Sequence, residues 1–70
     1  MRMTYDKEAD AAYVYIKDPI ADGEAKRTVS VSDDVHLDFD GEGHLLGIEI
    51  LNARGVLTED ALKEAVLIGR

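Results

Sequence analysis

Val35-His36-Leu37-Asp38-Phe39-Asp40-Gly41-Glu42-Gly43-His44-Leu45-Leu46-Gly47-Ile48-Glu49-Ile50-Leu51 reads as two extended runs around a glycine-bearing break. Side chains alternate across a strand, so Val35, Leu37 and Phe39 share one face while His36, Asp38 and Asp40 share the other. On the return run Leu46, Ile48 and Ile50 lie together, opposite Leu45, Gly47, Glu49 and Leu51. A hairpin must bring its apolar sets together, so paired residue numbers sum to an odd value. A two-residue Glu42-Gly43 loop gives sums of 85: Phe39–Leu46, Leu37–Ile48, Val35–Ile50, and His36 across from Glu49. A longer loop gives 83 and sets Asp34 opposite Glu49. Three-residue loops fail the parity test.

Upstream, period-2 patterning continues. Met1, Met3 and Tyr5 alternate with Arg2 and Thr4, and Asp6 to Asp10 form a polar connection that Asp6 can start as a single helical turn. In Ala11-Ala12-Tyr13-Val14-Tyr15-Ile16 both faces carry apolar groups, which predicts a central strand covered on two sides. Asp18-Pro19 and Asp22-Gly23 mark a loop. Val29 and Val31 alternate with Thr28, Ser30 and Ser32 as a third strand before the turn at Asp33-Asp34.

Downstream the period changes. Thr58 suits an N-cap, Glu59 and Asp60 complement the helix dipole, and Leu57 and Leu62 have hydrophobic-staple spacing. Leu62, Ala65 and Val66 form a stripe, Gly69 can close the C-terminus, and Asn52-Ala53-Arg54-Gly55 serves as connector. The pattern predicts an α+β fold: a small antiparallel, meander-like sheet of four to five strands with one C-terminal α-helix packed on one face. Residues 1–70 form a single domain, with the sheet in 1–53 and the helix in 57–68.

A chain of 70 residues buries only about 60% of its unfolded surface and gains roughly 3–5 kcal/mol from its core. The sequence has no cysteine, which excludes disulfides and thiolate metal sites and fits a reducing cytoplasm. No apolar run can span a bilayer, and the N-terminus lacks a signal-peptide pattern. The net charge is −7, from 15 acids and 8 bases. Asp33, Asp34, Asp38, Asp40, Glu42 and Glu49 fall between Thr28 and Ala53 with no Lys or Arg among them. That balance argues against nucleic acid, whose phosphates require a basic footprint.

Tyr5-Asp6-Lys7-Glu8-Ala9-Asp10-Ala11-Ala12-Tyr13-Val14, the run Val35–Asp40, and Gly43-His44-Leu45-Leu46-Gly47-Ile48-Glu49-Ile50-Leu51-Asn52-Ala53 together resemble a family of small prokaryotic proteins, Domain of Unknown Function 2283. The likeness spans Met3 to Ala53. It implies a compact β-rich fold with a terminal helix, no established activity and a role with a small protein partner. The segment from Thr58 onward lies outside the shared pattern.

Three constellations could carry chemistry. Asp38, Asp40, Glu42 and Glu49 nearly satisfy the EF-hand loop spacing, but their flanks have strand periodicity where that loop needs helices. The hairpin's polar face, His36, Asp38, Asp40 and Glu49 with His44 near the turn, offers imidazole and carboxylates to a divalent cation. Its ordinary counterpart is a solvated sheet face with a His36–Glu49 cross-strand pair. Tyr5, Tyr13 and Tyr15 with Asp6, Glu8 and Asp10 could supply a general base and acid, but no nucleophile or oxyanion hole accompanies them.

The expectation is a small acidic interaction module without catalytic residues or cofactor. Its surface is Tyr13 and Tyr15 beside Ala11, and its partner is a second copy in a homodimer or another small protein. The rival reading is a divalent-metal domain using His36, Asp38, Asp40 and Glu49, with an unidentified enzyme third.

Overall fold

The computed structural model describes residues 1–69 of the chain. The alternating stretches become strands β1 (Arg2–Asp6), β2 (Ala11–Tyr15), β3 (Arg27–Ser30), β4 (Val35–Phe39) and β5 (Leu45–Ile50). Beyond them lie α1 (Ala53–Val56), α2 (Glu59–Lys63) and β6 (Val66–Ile68). The sheet order is β3-β4-β5-β2-β1-β6. All neighbours are antiparallel except β6, which runs parallel to β1. The chain is α+β, and only β3-β4-β5 forms a meander: β2 leaves the edge of the β1–β2 hairpin and pairs with β5.

The hairpin register follows the apolar pattern for four pairs, Val35–Ile50, His36–Glu49, Leu37–Ile48 and Asp38–Gly47. A bulge then intervenes, so Phe39 pairs with Leu45 rather than with Leu46. The extra residue shifts parity by one and permits the loop that strict alternation excludes, with the Asp40 amide donating to the His44 carbonyl at 3.0 Å. Gly43 at the tip takes φ +89, a conformation that favours glycine.

Two expectations about the C-terminal segment are corrected. The region holds two short helices and a strand among the described residues, not one helix over 57–68, and the sheet has six strands rather than four to five. Asn52, expected as plain connector, adopts a left-handed conformation (φ 51), and α1 starts at once behind it. Thr58 does cap α2, accepting a hydrogen bond from the Ala61 amide at 3.1 Å. The helix nevertheless ends at Lys63, and Val66-Leu67-Ile68 extends along β1. The β-branched Val66 and Ile68 lose rotamer freedom in a helix and suit a pleat, and the free edge of β1 offers the segment backbone partners that a last helical turn cannot. Val66 therefore leaves the expected stripe and is 53% exposed. Gly69, expected to close a helix, follows β6 with φ +82.

The core lies on one face. Met3 and Tyr5 pair with Val14 and Ala12, which pair in turn with Ile48 and Ile50, so all six project the same way. Tyr5, Ala12 and Ile50 are buried with Ala53, and Leu57, Leu62 and Ala65 pack against them from the helical segment. Both staple leucines reach the core as their spacing predicts. The opposite face carries Thr4, Ala11, Tyr13, Tyr15, His36, Asp38 and Glu49, and none of the cluster around Tyr5, Ala12, Ile50 and Ala53 packs there.

Candidate functional site

On this second face Tyr13 sits at the centre of the sheet, between Thr4 of β1 and Glu49 of β5. Its ring crosses Gly47, where any Cβ would overlap the ring. The phenol donates to Asp38 Oδ2 at 2.7 Å, and the Thr28 hydroxyl donates to Asp38 Oδ1 at 2.7 Å. A polar chain therefore runs from β3 through β4 to β2. Burial, and then the bond to the Asp38 carboxylate, push the Tyr13 phenol well above its ordinary range.

Tyr15 meets Tyr13 edge to face, with ring centroids 4.8 Å apart. The Arg2 guanidinium lies over the Tyr15 ring at 4.2 Å and grips Asp18 with Nε–Oδ2 2.7 Å and a second bond of 3.0 Å. That bidentate grip draws the Asp18 carboxyl below its usual range. Asp18 thus reaches the tyrosines through Arg2, while Lys17 bonds the Pro19 carbonyl and Glu24 within the following loop. Beside the aromatic pair, Ala11, Thr4 and Ile68 help line a hollow of about 290 Å³.

The four residues expected to share a cation are placed as follows. His36 and Glu49 are direct cross-strand partners, and Asp38 is two residues along β4 on the same face. Both imidazole nitrogens of His36 are engaged, Nδ1 with Ser30 at 2.7 Å and Nε2 with the Asp33 carbonyl at 3.0 Å. A carbonyl only accepts, so Nε2 carries a proton. Asp38 is committed to Tyr13 and Thr28. Asp40 lies past the bulge and turns into the loop, accepting from the Glu42 and His44 amides at 2.9 Å each and contacting His44 Nδ1 at 3.1 Å. Those bonds, led by the His44 amide, hold its carboxyl below the usual range. Among the described residues, the carboxylates and imidazole that lie close enough to share an ion are those of Asp40, Glu42 and His44, within 4.8 Å of one another. Of these, Asp40 is one of the four, His44 is the residue expected beside them near the turn, and Glu42 is not part of that set. The EF-hand spacing is realised on two strands and a tight loop.

The tyrosine–carboxylate constellation is divided by the sheet. Tyr13 and Tyr15 occupy the open face, whereas Tyr5 points into the core and donates to Asp10 at 2.7 Å. Asp10 also accepts from the Arg54 amide at 3.1 Å, and its carbonyl accepts from Ala53 at 2.9 Å. The Tyr5 bond leads in drawing the Asp10 carboxyl down. Asp6 accepts from the Glu8 and Ala9 amides at 3.0 and 3.2 Å and so caps the turn, as its position predicts. This hub fastens the Tyr5–Asp10 turn to the Asn52–Arg54 corner.

Arg2, Thr28 and Gly47 belong to the open face without having been singled out by sequence reasoning. Gly47 carried a usable signal: a glycine in the interior of a strand marks a close approach, here of an aromatic ring. Arg2 and Thr28 carried none, because their partners are 16 and 10 residues away in sequence.

No helix among the described residues is long and apolar enough to cross a membrane. A family model described as a protein of unknown function, DUF2283, matches residues 2–54. No curated protein and no solved structure matches the chain.

Proposed function

Starting from a chain that belongs to the DUF2283 family, we propose a non-catalytic interaction module that self-associates through the open sheet face around Ala11, Tyr13 and Tyr15. The observation that carries this reading is the one-sided core: both helices pack on one face, while the other presents an ordered aromatic patch beside a hollow of about 290 Å³. Tyrosine and arginine are the residue types that concentrate binding energy at interfaces, since a ring gains from burial while its polar end stays satisfied. Here the rings are already fixed, by Asp38 under Tyr13 and by Arg2 over Tyr15. Little side-chain freedom remains to be lost on association. A twofold dimer needs only one self-complementary patch, which makes a second copy the simplest partner. The proposal places the module in the reducing cytoplasm, which a cysteine-free chain suits.

Sedimentation equilibrium over a range of micromolar concentrations tests it. The native chain is expected to give a dimer mass, and Ala11→Arg, which fills the hollow without touching the core, a monomer mass with unchanged circular dichroism. A native monomer at the highest concentration, or an Ala11→Arg dimer of native affinity, rejects the proposal.

A further inference from the structure

On the helical side of the sheet, β1 and the turn after it, α1, α2 and β6 border an open cleft of about 520 Å³. Its apolar lining is Tyr5, Leu62 and Leu67, and its charged lining includes Lys7, Arg54 and Lys63. The chain has only 8 Lys and Arg and a net charge of −7, so the gathering of three cations at one cleft runs against its composition. Arg54 is already occupied, with Nε 3.4 Å from Asp10 Oδ1. Lys7 and Lys63 enter no ion pair among the described residues. Among the described residues Glu59 is the one carboxylate in the lining. The volume lies within the several hundred Å³ typical of small-molecule sites, where an apolar wall holds the body of a ligand and a few polar groups fix its orientation.

We infer that this cleft binds a small organic anion with an apolar body. The carboxylate of the ligand pairs with Lys7 and Lys63, and its hydrocarbon rests on Tyr5, Leu62 and Leu67. Lysine acts as a compact point charge with no demand for planar geometry, so the site selects for negative charge joined to apolar surface rather than for one head-group shape. Glu59 repels dianions and favours a single charge on the ligand. Tyr5, Lys7 and Arg54 fall within the family match over residues 2–54, whereas Glu59, Leu62, Lys63 and Leu67 lie beyond it. The segment after the matched region therefore completes the cleft. This site lies across the sheet from the aromatic face, and its ligand is independent of self-association.

Octanoate is a suitable probe, titrated into the full chain and followed by amide chemical shifts, with octanol as the uncharged control. Saturable binding is expected, with the largest shifts at Lys7, Arg54, Leu62 and Lys63, and with octanol about tenfold weaker, the effect of losing one good charge contact. Lys7→Gln combined with Lys63→Gln alters two exposed side chains and should leave the far-ultraviolet spectrum unchanged. That variant should bind octanoate about tenfold more weakly and octanol as before, while Lys7→Arg with Lys63→Arg should retain octanoate binding. Absence of saturable octanoate binding, equal affinity for octanoate and octanol, or shifts centred outside the cleft would each overturn the inference.

Discussion

Gly47 and Tyr13 show how one residue can set a whole face. The Tyr13 ring occupies the space a side chain at position 47 would need, and its hydroxyl is thereby aimed at Asp38. Gly47→Ala must displace the ring and break that bond, at a cost of about 1–3 kcal/mol, the usual range for overpacking. Urea denaturation should register the loss, and Tyr13→Phe, which keeps the ring and loses only the hydroxyl, should cost about 1 kcal/mol. A neutral Gly47→Ala would mean that the ring is free to move. The raised phenol gives a second check. Its folded value lies above the unfolded value of about 10, so its contribution to stability is complete below that pH and lost as pH rises through the folded value. In an ultraviolet phenolate titration Tyr13→Phe should remove the latest-ionising phase.

The carboxylates work in the other direction. Asp10, Asp18, Glu24 and Asp40 are all drawn below their ordinary values, chiefly by Tyr5, by Arg2, by the Ala21 amide and by the His44 amide respectively. Their contributions are complete above the unfolded carboxylate range of about 4 and are lost as pH falls through the lowered folded values. The urea midpoint should hold steady near neutrality and decline below that range. Asp10→Asn, at the hub joining the first turn to α1, should lower the neutral midpoint and flatten part of the acid decline.

At the scale of elements, the two ends of the chain differ in how far their sequence could be read. Alternation from Val35 to Ile50 specified both strands and their inward faces, because a one-residue slip would expose every apolar side chain, but it left two registers open, and four pairs of the first are formed. The bulge at Phe39 was not legible, since it depends on how the loop closes through Asp40. The C-terminal segment was read correctly at its start and wrongly at its end. Thr58 and the staple leucines are local signals, whereas the strand Val66–Ile68 exists only because β1, some sixty residues earlier, leaves its edge open. Candidate site residues divide the same way. The shared face of His36, Asp38 and Glu49 followed from parity, while the turning of Asp40 into the loop, the engagement of His36 by Ser30 and Asp33, and that of Asp38 by Tyr13 and Thr28 required the tertiary fold.

The helical segment should be tightly coupled to the sheet but modest in energy. Leu62 is half-buried, so Leu62→Ala should cost about 1–3 kcal/mol, below the range for fully buried leucines. A thermal melt should drop by about 4–8 °C for each kcal/mol in a domain of this size. Thr58→Ala removes the cap on the Ala61 amide and should cost about 1 kcal/mol. If both variants melted with the native chain, α2 would be an appendage rather than part of the core.

For the molecule as a whole, the sheet divides two kinds of surface. Helices, core and basic cleft lie on one side, and the aromatic and acidic face lies on the other. At −7 two copies repel at long range, so an association driven by aromatic burial should tighten as salt rises, whereas one driven by charge pairing should weaken. β6 offers a competing surface, with Val66, Leu67 and Ile68 exposed along the sheet edge. Masses alone do not separate these two modes. An isotope-filtered NOE experiment on a mixture of labelled and unlabelled chains does so directly, because it records only contacts between copies. Self-association through the open face predicts intermolecular NOEs from the Tyr15 ring and the Ala11 methyl; intermolecular NOEs confined to the Val66–Ile68 backbone, as edge-to-edge pairing gives, or none at a concentration where sedimentation gives a dimer, would contradict it.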